Sequence, residues 1–161
     1  MDLFISDIHG NITNLELLDL EKYKTIFFLG DLYGSFEGDE DIKRFFQKYG
    51  YKIICVKGNC DYEFDYNDLG VVCNESINFT EDNINIYCTH GNRIKPTNAD
   101  VVIYGHEHIP YIKREEKVYI CVGSVSKPRN SLGASYLEYE DKEFILKDFN
   151  NNVIDQIKIS S

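Results

Sequence analysis

Side chains that bind metals recur in this sequence directly after short apolar runs. Ser6-Asp7-Ile8-His9-Gly10 follows the first run, and Gly105-His106-Glu107-His108 follows another about two thirds of the way along the chain. Gly30-Asp31, Gly58-Asn59-Cys60-Asp61 and Thr89-His90-Gly91 stand in the same relation to the runs before them. Imidazole and carboxylate groups are common ligands of divalent transition metals. The repeated pattern therefore predicts a metal site.

The strength of this pattern lies in its repetition. An Asp-x-His triplet alone occurs often by chance, and a Gly-Asp pair alone is a common turn signal. All four histidines of the chain, however, follow directly on a short apolar run. Seven candidate donors are thereby placed at five strand ends: Asp7, His9, Asp31, Asn59, His90, His106 and His108.

The first third of the chain predicts strands that alternate with helices. Buried strands are predicted at 2–6, 25–29 and 51–56. Thr13 and Glu16 have the spacing of a capping box before a leucine-rich segment, which predicts a helix of about two to three turns. This β-α-β order favours a parallel sheet with right-handed crossovers.

A second amphipathic helix is predicted before the third strand. The acidic run 39–41 precedes apolar residues spaced at i, i+3, i+4 and i+7, and Gly50 follows the last of them. Acidic residues at the start of a helix suit its dipole, so this run is interpreted as a helix start and not as a metal site. Gly34 and Gly38 mark the loop ahead of the helix.

Beyond Asp61 the sequence predicts mostly strands. Residues 65–78 are polar and rich in turns, and 84–88 and 101–104 are predicted strands. The nine residues 92–100 include a proline and are too few for a crossover helix, so they predict a loop. Five further strands are predicted up to residue 159, in a second sheet that is expected to be largely antiparallel.

The predicted fold class is α/β, with a single domain over residues 1–161. Two mixed β-sheets flanked by helices would form a four-layer αββα sandwich. In this arrangement the polar segments fall at the carboxyl ends of the strands, where ligands bind in open α/β sheets. We therefore expect the candidate donors to meet at one rim of the molecule.

The charge of the chain limits its partners. Lys and Arg number 17 against 27 Asp and Glu, which gives a formal net charge of −10. No basic stripe is present, so an extended surface for nucleic acid is not expected. A small anionic substrate is compatible with this charge if bound metal ions make the site locally positive.

The sequence also predicts a cytoplasmic protein with no membrane partner. The apolar start, residues 1–5, is too short for a signal peptide, and no later run approaches the length of a membrane span. Five cysteines form no Cys-x-x-Cys pair. Cys55, Cys88 and Cys121 lie in predicted strands and are expected to be buried free thiols.

The order Asp-x-His, Gly-Asp, Gly-Asn-x-Asp, His-Gly, Gly-His-x-His resembles the calcineurin-like metallophosphoesterase superfamily. Cys60 after Asn59, the short chain and the stretch Gly123-Ser124-Val125-Ser126-Lys127-Pro128-Arg129 are most similar to its small bacterial and archaeal branch, the YfcE-type phosphodiesterases. The resemblance runs from Leu3 to about Arg129. It implies a metal-dependent phosphoric ester hydrolase that acts on a small phosphodiester or a nucleotide-like substrate.

The resemblance also implies two divalent transition-metal ions, Mn²⁺ first, with Fe, Ni, Co or Zn as alternatives. One ion would be held by Asp7, His9, Asp31 and His108, and the other by Asp31, Asn59, His90 and His106, with Asp31 bridging. A hydroxide that bridges the two ions would attack phosphorus in line, without a covalent phosphoenzyme. His90 and Asp61 are predicted catalytic residues, Asp61 by orienting a ligand histidine. The alternative role for Asp61 is a turn-forming carboxylate.

Several positions depart from the family's pattern. Cys60 stands where many members carry a histidine that helps the leaving group, and Asn92 stands where a second histidine often follows His-Gly. The helix that usually precedes the Gly-His-x-His strand is missing, and Cys121-Val122 replaces an Asn-Pro pair. An altered substrate pocket beside a complete metal-ligand set is therefore expected.

Other functions stay open at this point. Some proteins of this fold are non-catalytic protein-binding scaffolds, as in the retromer complex, and a phosphomonoesterase is a second alternative. The complete ligand set favours an enzyme over a scaffold. Lys127 and Arg129 are either phosphate contacts or exposed loop cations. The oligomeric state is not determined, and a homo-oligomer is compatible with the sequence.

Overall fold

Twelve strands in two sheets form the centre of the protein, seen in a computed structural model that describes residues 1–33, 39–129 and 131–160. The strands are β1 (Asp2–Ile5), β2 (Thr25–Phe28), β3 (Ile53–Val56), β4 (Cys73–Asn74), β5 (Ile77–Glu81), β6 (Ile84–Cys88), β7 (Val101–Tyr104), β8 (Pro110–Arg114), β9 (Val118–Val122), β10 (Ser135–Glu140), β11 (Glu143–Asp148) and β12 (Val153–Lys158). The first sheet has the order β12-β11-β10-β1-β2-β3-β4, and the second has the order β5-β6-β7-β9-β8. The predicted pair of mixed sheets is confirmed.

The last three strands lie in the first sheet, which corrects the prediction that they belong to the second. β10 pairs antiparallel with β1, placing Tyr139 opposite Asp2. β11 and β12 then extend the same edge in antiparallel order. Residues 135–139 of β10 are all buried, as an interior strand requires. The sequence could not indicate which sheet these strands join, because the same pattern of buried residues is compatible with pairing at the edge of either sheet.

The second sheet is also more parallel than predicted. β6, β7 and β9 are parallel neighbours, and the antiparallel strands β5 and β8 form its two edges. The chain from β6 to β7 contains no helix, as the short segment 92–100 predicted. The strand ends that carry the predicted histidines therefore point to one edge of this sheet.

Helices of the described residues number two, together with three short 3₁₀ segments. α1 (Asp39–Tyr49) is the predicted amphipathic helix, whereas α2 (Glu63–Asp68) lies in a region predicted as turns. The predicted loop at Gly34 and Gly38 lies outside the described residues. Among the described helices, none is long and apolar enough to cross a membrane.

The helix predicted after Thr13 is instead two 3₁₀ segments, Thr13–Leu17 and Leu20–Lys22. The first segment begins after Ile12 with no side-chain cap, so the predicted capping box is not formed. Leu15 and Leu20 are buried in the core. Short 3₁₀ turns are common connectors, and here they direct these leucines inward without a full helix.

Alternation along the strands separates two main layers of the core. Leu3 and Ile5 of β1 pack with α1 residues such as Phe45, while Phe4 faces the space between the two sheets. A smaller cluster, which includes Tyr104, covers the outer face of the second sheet. The helices of the described residues thus pack on the first sheet. Cys55, Cys88 and Cys121 are buried free thiols, as predicted.

Candidate metal centre

The strand ends of both sheets meet at one rim. In the first sheet the chain beyond β1 stays paired with the chain beyond β2, because Asp7 N donates to Gly30 O at 2.9 Å and His9 N donates to Asp31 O at 3.0 Å. In the second sheet Gly105 N donates to His90 O at 2.8 Å. Parallel strands deliver their carboxyl ends to a common edge, and the packed sheets bring the two edges together.

The first donor set contains Asp7, His9, Asp31 and His108, the residues predicted for one ion. His108 Nε2 lies 3.2 Å from Asp7 Oδ1 and 3.3 Å from His9 Nε2. His9 Nε2 lies 3.6 Å from Asp7 Oδ1 and 3.8 Å from Asp31 Oδ2. Asp7, Asp31 and His108 are buried, and His9 is partly buried.

The second donor set contains Asp31, Asn59, His90 and His106, the residues predicted for the other ion. His90 Nε2 lies 3.3 Å from Asp31 Oδ2 and 3.2 Å from His106 Nδ1. His106 Nδ1 lies 3.1 Å from Asn59 Oδ1. His90 is buried, but Asn59 is exposed and His106 is partly exposed. All seven predicted donors are therefore brought together, and the second set is the one open to solvent.

The donor atoms fit divalent cations. Atoms bound at about 2.1 Å to one tetrahedral ion lie roughly 3.4 Å from one another, close to the separations within each set. Asp7 Oδ1 is buried and has no hydrogen-bond partner among the described residues. Buried polar oxygens are rarely left without a partner, so this atom is well suited to a cation. Asp7, His9 and His108 form one compact group, and Asp7, Asp31 and His90 form another.

Hydrogen bonds orient two of the imidazoles. His90 Nδ1 lies 2.7 Å from Leu29 O, and His108 Nδ1 lies 2.6 Å from Lys127 O. Because a carbonyl only accepts, each Nδ1 must carry the proton, and each Nε2 presents its lone pair to the centre. This arrangement is typical of metal-binding histidines.

The two carboxylates of the centre are held in their charged form. Burial raises the pKa of Asp7, but the imidazoles of His108 and His9 outweigh burial and hold it well below its usual range. Burial likewise raises the pKa of Asp31, and His90 reverses that effect and lowers it. Each aspartate has one oxygen bound by N–H or O–H donors, and its other oxygen points inward. The centre thus presents two negative oxygens to a cation.

Five of the seven donors have a left-handed backbone. Asp7, His9, Asp31, His106 and His108 have φ between 47° and 70°. Such values are uncommon for residues other than glycine and cost roughly 1–2 kcal/mol each. Strained backbone of this kind clusters at functional sites, where the surrounding structure imposes it. Nothing in the local sequence indicated it.

Asp61 has a different place from the predicted one. Its Oδ2 accepts hydrogen bonds from Asp31 N and Gly58 N, each at 2.8 Å, and from the hydroxyl of Tyr66. Its Oδ1 accepts from Leu32 N at 2.8 Å. These bonds fix the turn that carries Asp31, and Asp61 makes no hydrogen bond to a histidine in the described residues. The predicted orientation of a ligand histidine is therefore wrong, and the turn-forming alternative fits.

Glycines before the donors allow the loops to approach closely. A Cβ on Gly58 would lie 2.2 Å from Asp31 Oδ1, and one on Gly105 would lie 2.0 Å from Ser6 Oγ and 2.6 Å from Asp7 Oδ2. Any side chain at these positions would displace a carboxylate of the centre. This close packing explains why glycine precedes Asn59 and His106 in the sequence.

Serines that support the first donor set were not predicted. Ser124 Oγ donates to Asp7 O at 2.8 Å, and Ser126 Oγ donates to Ile8 O at 2.7 Å. Ser6 Oγ donates to Asp7 Oδ2 at 2.7 Å. The signal that could have indicated Ser124 and Ser126 was their spacing in Gly-Ser-x-Ser after a strand.

The remaining candidate residues lie around the centre. Cys60 is exposed, and its backbone N–H donates to Asp31 Oδ1 at 2.9 Å. Burial, followed by the charge of Asp31, raises the pKa of the Cys60 thiol. Lys127 and Arg129 are exposed on the loop whose Lys127 carbonyl holds His108. Neither cation forms an ion pair within the described residues.

Comparison with known proteins gives concordant results. The sequence model of the Calcineurin-like phosphoesterase superfamily domain matches residues 2–142. The chain is 29% identical over 154 residues to phosphodiesterase YfcE of Escherichia coli strain K12, with 83% of this chain and 84% of that protein covered.

Two solved structures are similar to the structure of this chain. The structure of YfcE, described as a phosphoesterase from E. coli, has a TM-score of 0.87 and 26% identity and covers 99% of both chains. Wild-type Vps29 of Entamoeba histolytica, described as complexed with Zn²⁺, has a TM-score of 0.61 and 22% identity, covering 90% of this chain and 89% of that one. The second of these similarities extends to the fold alone.

Proposed function

The chain belongs to the Calcineurin-like phosphoesterase superfamily, and we propose that it is a phosphodiesterase with a dinuclear metal centre that hydrolyses small phosphodiesters. The observation that carries this proposal is the meeting of seven donors from five strand ends. Neighbouring donor atoms lie 3.1–3.8 Å apart in two sets that share Asp31. The name of the relative YfcE supports the phosphodiesterase assignment.

When bound, two divalent transition-metal ions would supply Lewis acidity and lower the pKa of water held between them. Imidazole and carboxylate donors together suit Mn, Fe, Co, Ni and Zn, and Mn²⁺ is our first assignment among them because of the family to which the chain belongs. Asp31 would serve both ions, and in support of this its Oδ2 lies 3.8 Å from His9 Nε2 of the first set and 3.3 Å from His90 Nε2 of the second. Asp7 Oδ1 lies nearer to His108 and His9 than to His90, so we assign Asp7 to the first ion.

The residues of the chain act mainly by positioning. Leu29 O and Lys127 O fix the imidazoles of His90 and His108, and Asp61 fixes the backbone of Asp31. The exposed Asn59 and the partly exposed His106 of the second donor set give a phosphodiester access from solvent. Hydrolysis adds the oxygen of water to phosphorus, breaks one P–O ester bond and returns a proton to the departing alcohol. No serine or cysteine nucleophile is required for this reaction.

Turnover of two chromogenic esters tests the proposal. We expect the protein supplemented with Mn²⁺ to hydrolyse bis-p-nitrophenyl phosphate faster than p-nitrophenyl phosphate, with close to two metal ions per chain by elemental analysis. Asp31→Asn removes the shared carboxylate and should abolish turnover and reduce metal content. The exposed Asp68→Asn is the matched control and should change neither quantity.

The same experiment separates the alternatives. Faster hydrolysis of the monoester would indicate a phosphomonoesterase. Metal content without turnover of either ester would indicate a non-catalytic scaffold of this fold. Turnover is the deciding quantity, because a protein can bind metal ions without hydrolysing an ester.

A further inference from the structure

A cleft of about 350 Å³ begins at the second donor set. One wall is formed by the chain beyond β3, with Lys57 and Asn59, and the other by the loop after His90, with Asn92, Arg93 and Lys95. Asn59 belongs to both the cleft and the centre, because its Oδ1 lies 3.1 Å from His106 Nδ1. A molecule bound at the centre could therefore extend directly into this cleft.

The cleft is locally positive in a chain with a net charge of −10. Lys57 is only 33% exposed and pairs with Glu75 at 3.4 Å, while Glu75 is 84% exposed. Arg93 and Lys95 are exposed and have no carboxylate at ion-pair distance within the described residues. Asp61 also reaches the wall, but backbone N–H groups and Tyr66 already occupy its oxygens. Two cations thus remain available to a ligand.

The short connection between β6 and β7 brings Arg93 and Lys95 to the cleft. Residues 92–100 contain no helix, and the chain leaves His90 through Asn92 and Arg93 directly along the cleft. The lining is mostly polar, and the aromatic Tyr87 is 4% exposed, which leaves little ring surface for stacking a base. The volume is near the lower limit of roughly 300–1,000 Å³ for small-molecule sites. These properties suit a compact anionic group better than a nucleobase.

We propose that this cleft binds a second phosphate on the substrate, so that the enzyme prefers phosphodiesters in which one of the esterified alcohols carries a further phosphate group. The inference rests on the proposed function and adds a substrate class to it. Arg93 and Lys95 would contact the extra phosphate, and Lys57 would add to the positive potential. Arginine is well suited to this contact, because its guanidinium can bind two phosphate oxygens at once.

A pair of substrates that differ only in that phosphate provides the test. Thymidine 5′-(p-nitrophenyl phosphate) and its 3′-phosphorylated form release the same p-nitrophenol, so the leaving group is constant. We expect kcat/KM of the wild-type protein with Mn²⁺ to be about tenfold higher for the phosphorylated form, because exposed ion pairs are individually weak but act together in a cleft. Equal values of kcat/KM for the two substrates would overturn the inference and leave the proposed function intact.

Charge variants locate the effect. Arg93→Gln/Lys95→Gln should reduce the tenfold preference for the phosphorylated substrate to about twofold or less. Glu75→Gln, which releases Lys57, should increase the preference. Lys43→Gln/Lys48→Gln removes the same charge from α1, outside the cleft lining, and should preserve it. If the α1 variant lost the preference for the phosphorylated substrate to the same extent, the preference would depend on net charge, and phosphate binding in the cleft would be contradicted.

A binding measurement separates failure of the inference from failure of the proposed function. If neither substrate is hydrolysed, titration calorimetry with thymidine 3′,5′-bisphosphate and thymidine 5′-monophosphate still reports on the cleft. Tighter binding of the bisphosphate that is lost in Arg93→Gln/Lys95→Gln would support the anion site in a protein without phosphodiesterase activity. Equal dissociation constants for the two nucleotides would overturn it.

Discussion

The two ends of β1 carry the same residue type in opposite electrostatic surroundings. Asp2 begins the strand and Asp7 follows its carboxyl end, and both are buried with one oxygen that lacks a hydrogen-bond partner among the described residues. At the amino end, burial and the neighbouring Glu81 raise the pKa of Asp2 to about 6. At the carboxyl end, burial also raises the pKa of Asp7, but His108 and His9 reverse the effect and lower it.

This difference shows that residue type and burial do not by themselves decide the charge of a buried carboxylate, because neighbouring side chains either add to the effect of burial or reverse it. Asp2 is buried and also faces the carboxylate of Glu81, so its charged form is disfavoured and costs stability. Asp7 faces imidazoles and keeps its charge, with one oxygen directed toward a candidate cation position. The following changes test this contrast between the two ends of the strand.

Removing the charge of Asp7 should have the largest effect. Asp7→Asn deletes a negative donor from the first donor set, and we expect kcat/KM for bis-p-nitrophenyl phosphate to fall about a thousandfold, since metal ions supply several kcal/mol of charge stabilisation in such reactions. Asp2→Asn at the other end of the strand should leave kcat/KM unchanged. Equal losses in the two variants would contradict a special role for the carboxyl end.

Adding a methyl group at Gly105 should be the next largest change. Its Cβ would lie 2.0 Å from Ser6 Oγ and 2.6 Å from Asp7 Oδ2, and we expect Gly105→Ala to reduce the free energy of unfolding by about 2–3 kcal/mol. Urea denaturation measures this quantity. Gly50→Ala is the control, because its Cβ would meet only Val71 at 3.9 Å. A stable Gly105→Ala protein would show that the packing at the carboxyl end is looser than described.

Asp61 supports the turn that carries Asp31 by accepting hydrogen bonds from backbone N–H groups and from the hydroxyl of Tyr66. Asp61→Asn replaces an acceptor of three backbone N–H groups, and we expect metal affinity to weaken about 10–100-fold, as for other groups that position ligands. Titration of the metal-free protein with Mn²⁺ measures the change. Asp68→Asn, which removes an exposed carboxylate of α2, should bind Mn²⁺ as the wild type does.

The smallest effect is expected for Asp2→Asn at the amino end of β1, where the substitution should stabilise the protein and not weaken it. The folded-state pKa of Asp2, about 6, is above the ordinary value of 3.8 for an aspartate, so the folded state binds more protons and loses stability as the pH rises from about 4 to 6. Asp2→Asn removes this penalty and should increase the free energy of unfolding at pH 8 by about 1–2 kcal/mol. The gain should shrink as the pH falls through 6 toward 4, as urea denaturation at several pH values would measure. A constant gain across that range would contradict the raised pKa.

Much of the centre was predictable because local sequence encodes the strand and the donor that follows it. Asp7, His9 and Asp31 follow runs whose residues alternate between two buried faces, so their position at strand ends is a property of the nearby sequence. The glycines before Asn59 and His106 lie in the loops that approach Asp31 and Asp7 closely. Alternation and turn residues act over a few positions, which is why such features are visible without coordinates.

The sequence by itself determined which seven residues are the candidate donors, their order and their place after strands, since each depends on residues close by in the chain. Only the tertiary structure decided that β10 to β12 extend the first sheet, that Asp61 holds Asp31 instead of a histidine, and that five donors take left-handed backbone. It also brought Lys57 opposite Arg93 to form the positive cleft. Such pairings depend on how distant segments pack, because many partners satisfy the same local pattern and the free energy of the whole fold selects one.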